Sequence, residues 1–119
     1  MSSRELEASV RVVGGVPVID LRGELDGSGA DLLAAVTRTA EREGAKLIAL
    51  NFTEVGFINS KGIALIVNQI MRAREEGYEL VAYGLSNHYR QIFTITRLTD
   101  FIHVTDDEEN AVKTLSLIT

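Results

Sequence analysis

Lys46-Leu47-Ile48-Ala49-Leu50-Asn51-Phe52 is nearly continuous in apolar residues, and Asn59-Ser60-Lys61-Gly62-Ile63 follows a few residues later. An unbroken apolar run of this length predicts a strand buried on both faces, as in a parallel sheet. Thr53-Glu54-Val55-Gly56-Phe57-Ile58, between the two, reads as a loop ending in two large apolar residues. Beyond it, Ile63, Ile66, Val67 and Ile70 recur at i, i+3, i+4 and i+7. That spacing predicts a strongly apolar helix over Lys61–Glu76, stopped by Gly77.

Upstream, Leu6, Ala8, Val10 and Val12 alternate with polar residues, the period of a strand with one wet face. Gly14-Gly15 is a two-residue loop that tolerates positive φ. Val16 to Arg22 then returns as an antiparallel strand, with Pro17 near its start. Gly23-Glu24-Leu25-Asp26-Gly27-Ser28-Gly29 reads as a glycine-rich turn. A helix over about Ala30–Glu43 follows, with Leu32, Leu33, Val36 and Ala40 inward, Asp26 or Ser28 as cap and Gly44 as stop.

Downstream, Glu79–Gly84 predicts a strand and Ser86 caps a short helix to about Ile95. Phe101-Ile102-His103-Val104 is a last short strand. The acidic run Asp106-Asp107-Glu108-Glu109 opens a final helix, where negative charge meets the positive end of the dipole. Val112, Leu115 and Leu117 are its expected docking residues. The order β-β-α-β-α-β-α-β-α predicts an α/β fold, a mixed sheet covered by helices.

The chain has 119 residues, 45% of them hydrophobic, which suits one domain spanning 1–119 with a core of its own. There is no cysteine, which removes disulfides, thiolate metal sites and cysteine nucleophiles. The only histidines are His88 and His103, so a histidine-rich metal site is excluded. The net charge of −5 is opposite to the footprint of a general nucleic-acid binder. No window of ~18 apolar residues predicts a membrane span. The polar start Met1-Ser2-Ser3-Arg4-Glu5-Leu6-Glu7 lacks a signal core, so the expected location is cytoplasmic.

Catalytic motifs fare poorly. Gly27-Ser28-Gly29 begins a dinucleotide fingerprint that fails at Leu32, and no Gly-Lys-Ser/Thr is present. Ser60 has Gly62 after it but Ile58 before it, so the nucleophile-elbow pattern fails too. No cofactor is implied. Ser60 itself remains, at the N-terminus of an apolar helix. One reading is a cap, by Asn59 or Ser60, worth about 1 kcal/mol. The other is a phospho-acceptor, because a helix N-terminus tolerates the added charge.

The stretch Asn51 to Ile63 resembles the signature of STAS domains, whose small stand-alone members are the anti-sigma-factor antagonists of bacteria. Gly23-Glu24-Leu25-Asp26 resembles a second element of that family. The element order and length agree as well. The resemblance implies about five strands and about four helices in one STAS domain. It implies a non-enzymatic switch that binds an anti-sigma factor, itself a serine kinase, and is released when phosphorylated. A metal-dependent serine phosphatase would reset it. The phospho-acceptor falls on Ser60. The expected partner surface is Asp26, Phe57, Ile58, Asn59, Ser60, Lys61 and Gly62, with Phe57 and Ile58 either buried anchors or exposed contacts. Two positions depart from the pattern: Asn59 stands for Asp and Lys61 for Ser or Thr. They favour the alternatives of a non-phosphorylated scaffold in a stress-sensing assembly or an accessory subunit of a lipid-transport ATPase. A nucleotide sensor is the third reading.

Overall fold

The structure, a computed structural model, describes residues 4–42 and 44–119. Five strands form one sheet in the order β1-β2-β3-β4-β5. They are β1 (Glu7–Val13), β2 (Val16–Leu25), β3 (Leu47–Ile58), β4 (Glu79–Tyr83) and β5 (His103–Thr105). β1 and β2 form the expected antiparallel hairpin, and the other neighbours are parallel. The four helices are α1 (Ala30–Glu41), α2 (Ser60–Glu76), α3 (Asn87–Ile95) and α4 (Glu108–Ile118).

The reading of β3 as a strand buried on both faces holds over its first half. Leu47 and Ala49 join a core with Val16, Val18, Val81 and Ala111, under α4. Ile48, Leu50 and Phe52 join the larger core, which also takes Leu33 of α1, Ile66 and Ile70 of α2 and Phe93 of α3. A period of two sends alternate residues to opposite faces. Three helices therefore share one face of the sheet, and α4 lies on the other.

The main departure from the sequence reading lies just beyond. Thr53–Ile58, expected as a loop, continues β3, and Gly23–Leu25, the first part of the turn expected over Gly23–Gly29, continues β2. The two extensions pair through Gly23↔Val55 and Leu25↔Ile58, with register shifts along the way. Thr53, Glu54, Gly56 and Phe57 are exposed. This part of the strand therefore carries no apolar alternation to announce it. Gly23 has φ +99°, and a Cβ there would lie 2.5 Å from the Glu5 carbonyl oxygen, so the N-terminal segment crosses close over it.

Smaller differences follow from local capping. α1 ends at Glu41; Glu43 and residues 1–3 lie outside the described residues. Asp26 caps a 3-10 turn, Gly27–Gly29, rather than α1 itself. α4 starts at Glu108, with the Asp107 carboxylate accepting from the Asn110 N–H at 2.9 Å. Leu117, an expected docking residue, is 83% exposed, whereas Val112 and Leu115 do pack on the core. Leu32 sits at the rim of α1, 36% exposed, and Phe101 precedes β5 instead of opening it.

Candidate functional site

α2 begins where β3 ends, against the last residue of β2. The Asn59 N–H donates to the Leu25 carbonyl at 3.2 Å, which ties the helix entry to β2. The Asn59 side-chain oxygen accepts from the Gly62 N–H at 2.9 Å, and its carbonyl accepts from the Ile63 N–H at 2.9 Å. Asn59 is therefore the cap, and it satisfies one of the free donors of the first turn. A Cβ on Gly62 would sit 2.0 Å from the Leu25 carbonyl oxygen. No side chain fits there, so glycine at 62 is what lets the helix start lie on β2.

With Asn59 as cap, Ser60 becomes the first residue of α2. It is exposed, and its hydroxyl has no hydrogen-bond partner among the described residues. Lys61 is exposed beside it, with its aliphatic stem lying across Gly27. A Cβ on Gly27 would meet Lys61 Cδ at 3.1 Å. The Asp26–Ser28 turn thus lies against the start of α2. The Asp26 carboxylate accepts from the Ser28 hydroxyl at 2.5 Å and the Ser28 N–H at 2.9 Å. Those two bonds hold its pKa below the usual carboxylate range.

Phe57 and Ile58 split. Ile58 is 6% exposed and belongs to the larger core, while Phe57 is 50% exposed. Adjacent residues of a strand face opposite ways, so one anchors and the other shows. Ile58 and the buried Gly62 support the surface from below. Its exposed atoms come from Phe57, Ser60 and Lys61, with part of Asp26 and Asn59.

One residue of this corner escaped the sequence reading. The Tyr89 hydroxyl, from α3, accepts the Ile58 N–H at 2.8 Å and lies 3.4 Å from the Ile58 carbonyl. It pins the backbone one residue before Asn59. Its only sequence signal is its position three residues after the Ser86 cap, whose hydroxyl accepts from the Tyr89 N–H.

The other polar constellation lies on the α4 face. The Arg11 guanidinium donates twice to Asp20, at 2.7 and 3.1 Å, and also to Glu108 and the Tyr83 hydroxyl. Tyr83 donates to Glu108 at 2.9 Å, and the Asn51 amide donates to Asp20 at 2.7 Å. Burial pushes the Asp20 carboxyl up, but the bonds from Arg11 and Asn51 outweigh it and hold the pKa low. Arg11, then Tyr83, does the same for Glu108. Burial and the Glu108 carboxylate push the Tyr83 phenol well above its usual value. His103 pairs with Glu79 at 2.7 Å, and His88 packs edge-on to Tyr89; neither hydrogen-bonds to Ser60. Among the described residues no three His, Asp or Glu side chains gather as a metal site. No helix there is long and apolar enough to cross a membrane.

The family profile of the STAS domain matches residues 7–111. The chain belongs to the STAS domain family. An anti-sigma-B factor antagonist of Staphylococcus aureus (strain NCTC 8325 / PS 47) is 29% identical over 91 residues, covering 76% of this chain and 84% of the relative. Among solved structures, the phosphorylated form of the Bacillus cell fate determinant SpoIIAA superposes with a TM-score of 0.67 at 24% identity, over 93% of this chain and 99% of that one. A sulfate transporter family protein from Wolinella succinogenes superposes at 0.76 with 21% identity, over 91% and 90%. These two likenesses establish the STAS fold. The fold itself is shared by proteins of different function, so function has to be argued from the Ser60 corner.

Proposed function

We propose that this STAS domain is an anti-sigma-factor antagonist controlled by phosphorylation of Ser60. The observation that carries the proposal is the unengaged Ser60 hydroxyl at the first position of a helix capped by its neighbour. Capping by Asn59 frees Ser60 from any structural duty. A phosphate on it adds about −1.5 to −2 charges at the positive end of the α2 dipole. The exposed Lys61 ammonium beside it offsets part of that charge. The fold therefore accepts the modification, and the change falls on whatever binds there.

In this reading a kinase-type anti-sigma factor binds the unphosphorylated surface formed by Phe57, Ser60, Lys61 and the Asp26 turn. Transfer of the ATP γ-phosphoryl to Ser60 places a dianion in the contact and releases the complex. A metal-dependent serine phosphatase restores the hydroxyl. The chain is the binder and the substrate of these steps, in the cytoplasm, and carries no cofactor. The name of the Staphylococcus aureus relative supports the partner class.

The test is intact-mass spectrometry after incubation with a cognate serine-kinase anti-sigma factor and ATP. One added phosphate is expected on the wild type and none on Ser60→Ala. Ser60→Asp is expected to weaken binding of that partner by a large factor. Phosphate elsewhere, or full binding by Ser60→Asp, overturns the proposal.

A second reading rests on Asn59 and Lys61, which depart from the antagonist pattern. It makes the chain a non-phosphorylated scaffold in a stress-sensing assembly or an accessory subunit of a lipid-transport ATPase. Co-purification with a transporter, together with no phosphate on Ser60 in cells, would decide for it.

A further inference from the structure

The two edges of the sheet are built differently. β5 offers three residues. β1 offers seven, with no proline, no lysine and an unbroken register against β2. A long unpaired edge is a template for another strand, and proteins normally blunt it. β1 is not shortened or bulged, and its charges are spaced in a particular way.

The hairpin fixes which backbone groups of β1 face outward. Gly14 and Gly15 both have positive φ, and Val13 pairs with Val16 across them. A two-residue turn of this kind closes on a hydrogen bond between the flanking residues. Val13 therefore points at β2. Alternation along the ladder then turns Arg11, Ser9 and Glu7 toward β2 as well. Ala8, Val10 and Val12 are left with their N–H and C=O groups outward.

A second copy approaching about a two-fold axis must pair outward residues with outward residues, so the axis passes through one residue of β1. Centring it on Glu7 or Arg11 sets like charges face to face. Centring it on Ala8 or Val10 leaves Glu7 opposite Ser9 or Val13. Centring it on Ser9 puts Glu7 opposite Arg11 of the other copy, twice, and Ala8 opposite Val10. The same register brings Val12, 65% exposed, beside Leu6 of the other copy. The Glu7–Arg11 pairs fall at non-hydrogen-bonded positions of the new ladder, where side chains lie closest. Arg11 has capacity to spare: its bonds within the chain use Nε and Nη2, and Nη1 has no partner among the described residues.

We propose that β1 is a homodimerisation edge on which a second copy of this chain pairs antiparallel about Ser9, joining two five-stranded sheets into one. The proposal is independent of the role of Ser60. The start of α2 rests on the end of β2, and the free edge of β1 faces away from β2, so both copies keep their Ser60 corners outside the new ladder.

Cysteine scanning tests the register, because the chain has no cysteine of its own. Ser9→Cys places two thiols opposite each other with Cα atoms about 4.5 Å apart, within disulfide reach. Glu7→Cys leaves its two copies about 13 Å apart along the strands, beyond reach. Mild oxidation is expected to give a covalent dimer of Ser9→Cys and none of Glu7→Cys. By sedimentation equilibrium the wild type is expected to show a monomer–dimer equilibrium. Glu7→Lys, at a side chain 62% exposed that meets Arg22 of its own hairpin only at 3.9 Å, should raise the dimer dissociation constant about tenfold, since it sets two like-charge pairs in place of two opposite ones. A wild type that stays monomeric at the concentrations of an NMR sample overturns the proposal. So does equal cross-linking of the two cysteine variants, an unchanged equilibrium in Glu7→Lys, or an edge that pairs only with a strand of a different protein.

Discussion

The Arg11 network on the α4 face and the Ser60 corner at the start of α2 are both polar, and they use polarity in opposite ways. In the network, Asp20, Asn51, Tyr83 and Glu108 are bonded to Arg11 or to one another. It joins β1, β2, β3 and β4 to the first turn of α4. At the Ser60 corner the bonds run through backbone, the Asn59 cap, the Tyr89 hydroxyl and the Asp26–Ser28 turn, and the Ser60 hydroxyl is left without a partner among the described residues. Saturated polar groups fix a fold, because each lost partner leaves a desolvated group behind. A hydroxyl without a partner costs nothing to modify. The contrast separates what holds this domain together from what it presents.

Four substitutions break that contrast in order of size. Gly62→Ala attacks the support of the Ser60 corner rather than its surface. Its Cβ would lie 2.0 Å from a backbone oxygen that cannot rotate away. Destabilisation of about 3 kcal/mol or more is expected in urea unfolding, because the start of α2 must leave β2. Arg11→Met should cost about 1–3 kcal/mol, since it strands the partly buried Asp20 and unties Glu108.

The same variant has a pH signature. Asp20 and Glu108 have folded-state pKa values below their ordinary ones. Their contribution is therefore complete above the unfolded values near 4 and is lost as pH falls through the lower folded values. Wild-type stability should drop along this acid limb. In Arg11→Met the limb should be flatter, with the two curves converging toward acid. Parallel curves in thermal melts from pH 7 to pH 3 would remove Arg11 from the cause.

How much of this was legible beforehand depends on which signal each part emits. The hairpin, the first half of β3 and the apolar helix α2 were readable because burial writes a period into the sequence. Leu47 to Leu50 and Ile63 to Ile70 are such cases. The second half of β3 was not, because Thr53, Glu54 and Phe57 face solvent and leave no apolar alternation. Pairing with β2 makes them a strand, and pairing is a long-range fact. Ser60 and Asn59 were legible as a pair, and the structure divides their labour: Asn59 caps and Ser60 is free. Tyr89 was invisible because its hydroxyl acts on a backbone group 31 residues away. No local pattern encodes that contact. The Arg11 network leaves no local signal for the same reason, since its members come from five separate elements.

Tyr89→Phe isolates the hidden contact. It keeps the ring in the core and removes only the oxygen that accepts the buried Ile58 N–H. The expected cost is about 1–2 kcal/mol, below that of Gly62→Ala. Amide hydrogen exchange should locate the loss at Ile58 and the first turn of α2. Uniform acceleration across the domain would instead mean that the hydroxyl contributes only global stability.

The smallest effect on folding bears most directly on function. Asn59→Asp keeps the oxygen that accepts the Gly62 N–H, so the cap survives. It adds a negative charge at the positive end of the helix dipole, which should stabilise by about 0.5 kcal/mol. That charge also stands next to Ser60. A phosphate arriving there would meet a neighbouring carboxylate in place of a neutral amide, and Lys61 would have two anions to offset instead of one. If Asn59 and Lys61 together adapt this chain to carry phosphate, Asn59→Asp should be slightly more stable when unmodified, and its gain should vanish or reverse once Ser60 is phosphorylated. Thermal melts of the four species, each variant with and without phosphate, measure the coupling between positions 59 and 60 directly. A coupling near zero would mean that the two charges do not sense each other. Asn59 would then be a cap and nothing more, and its difference from Asp would carry no information about the switch.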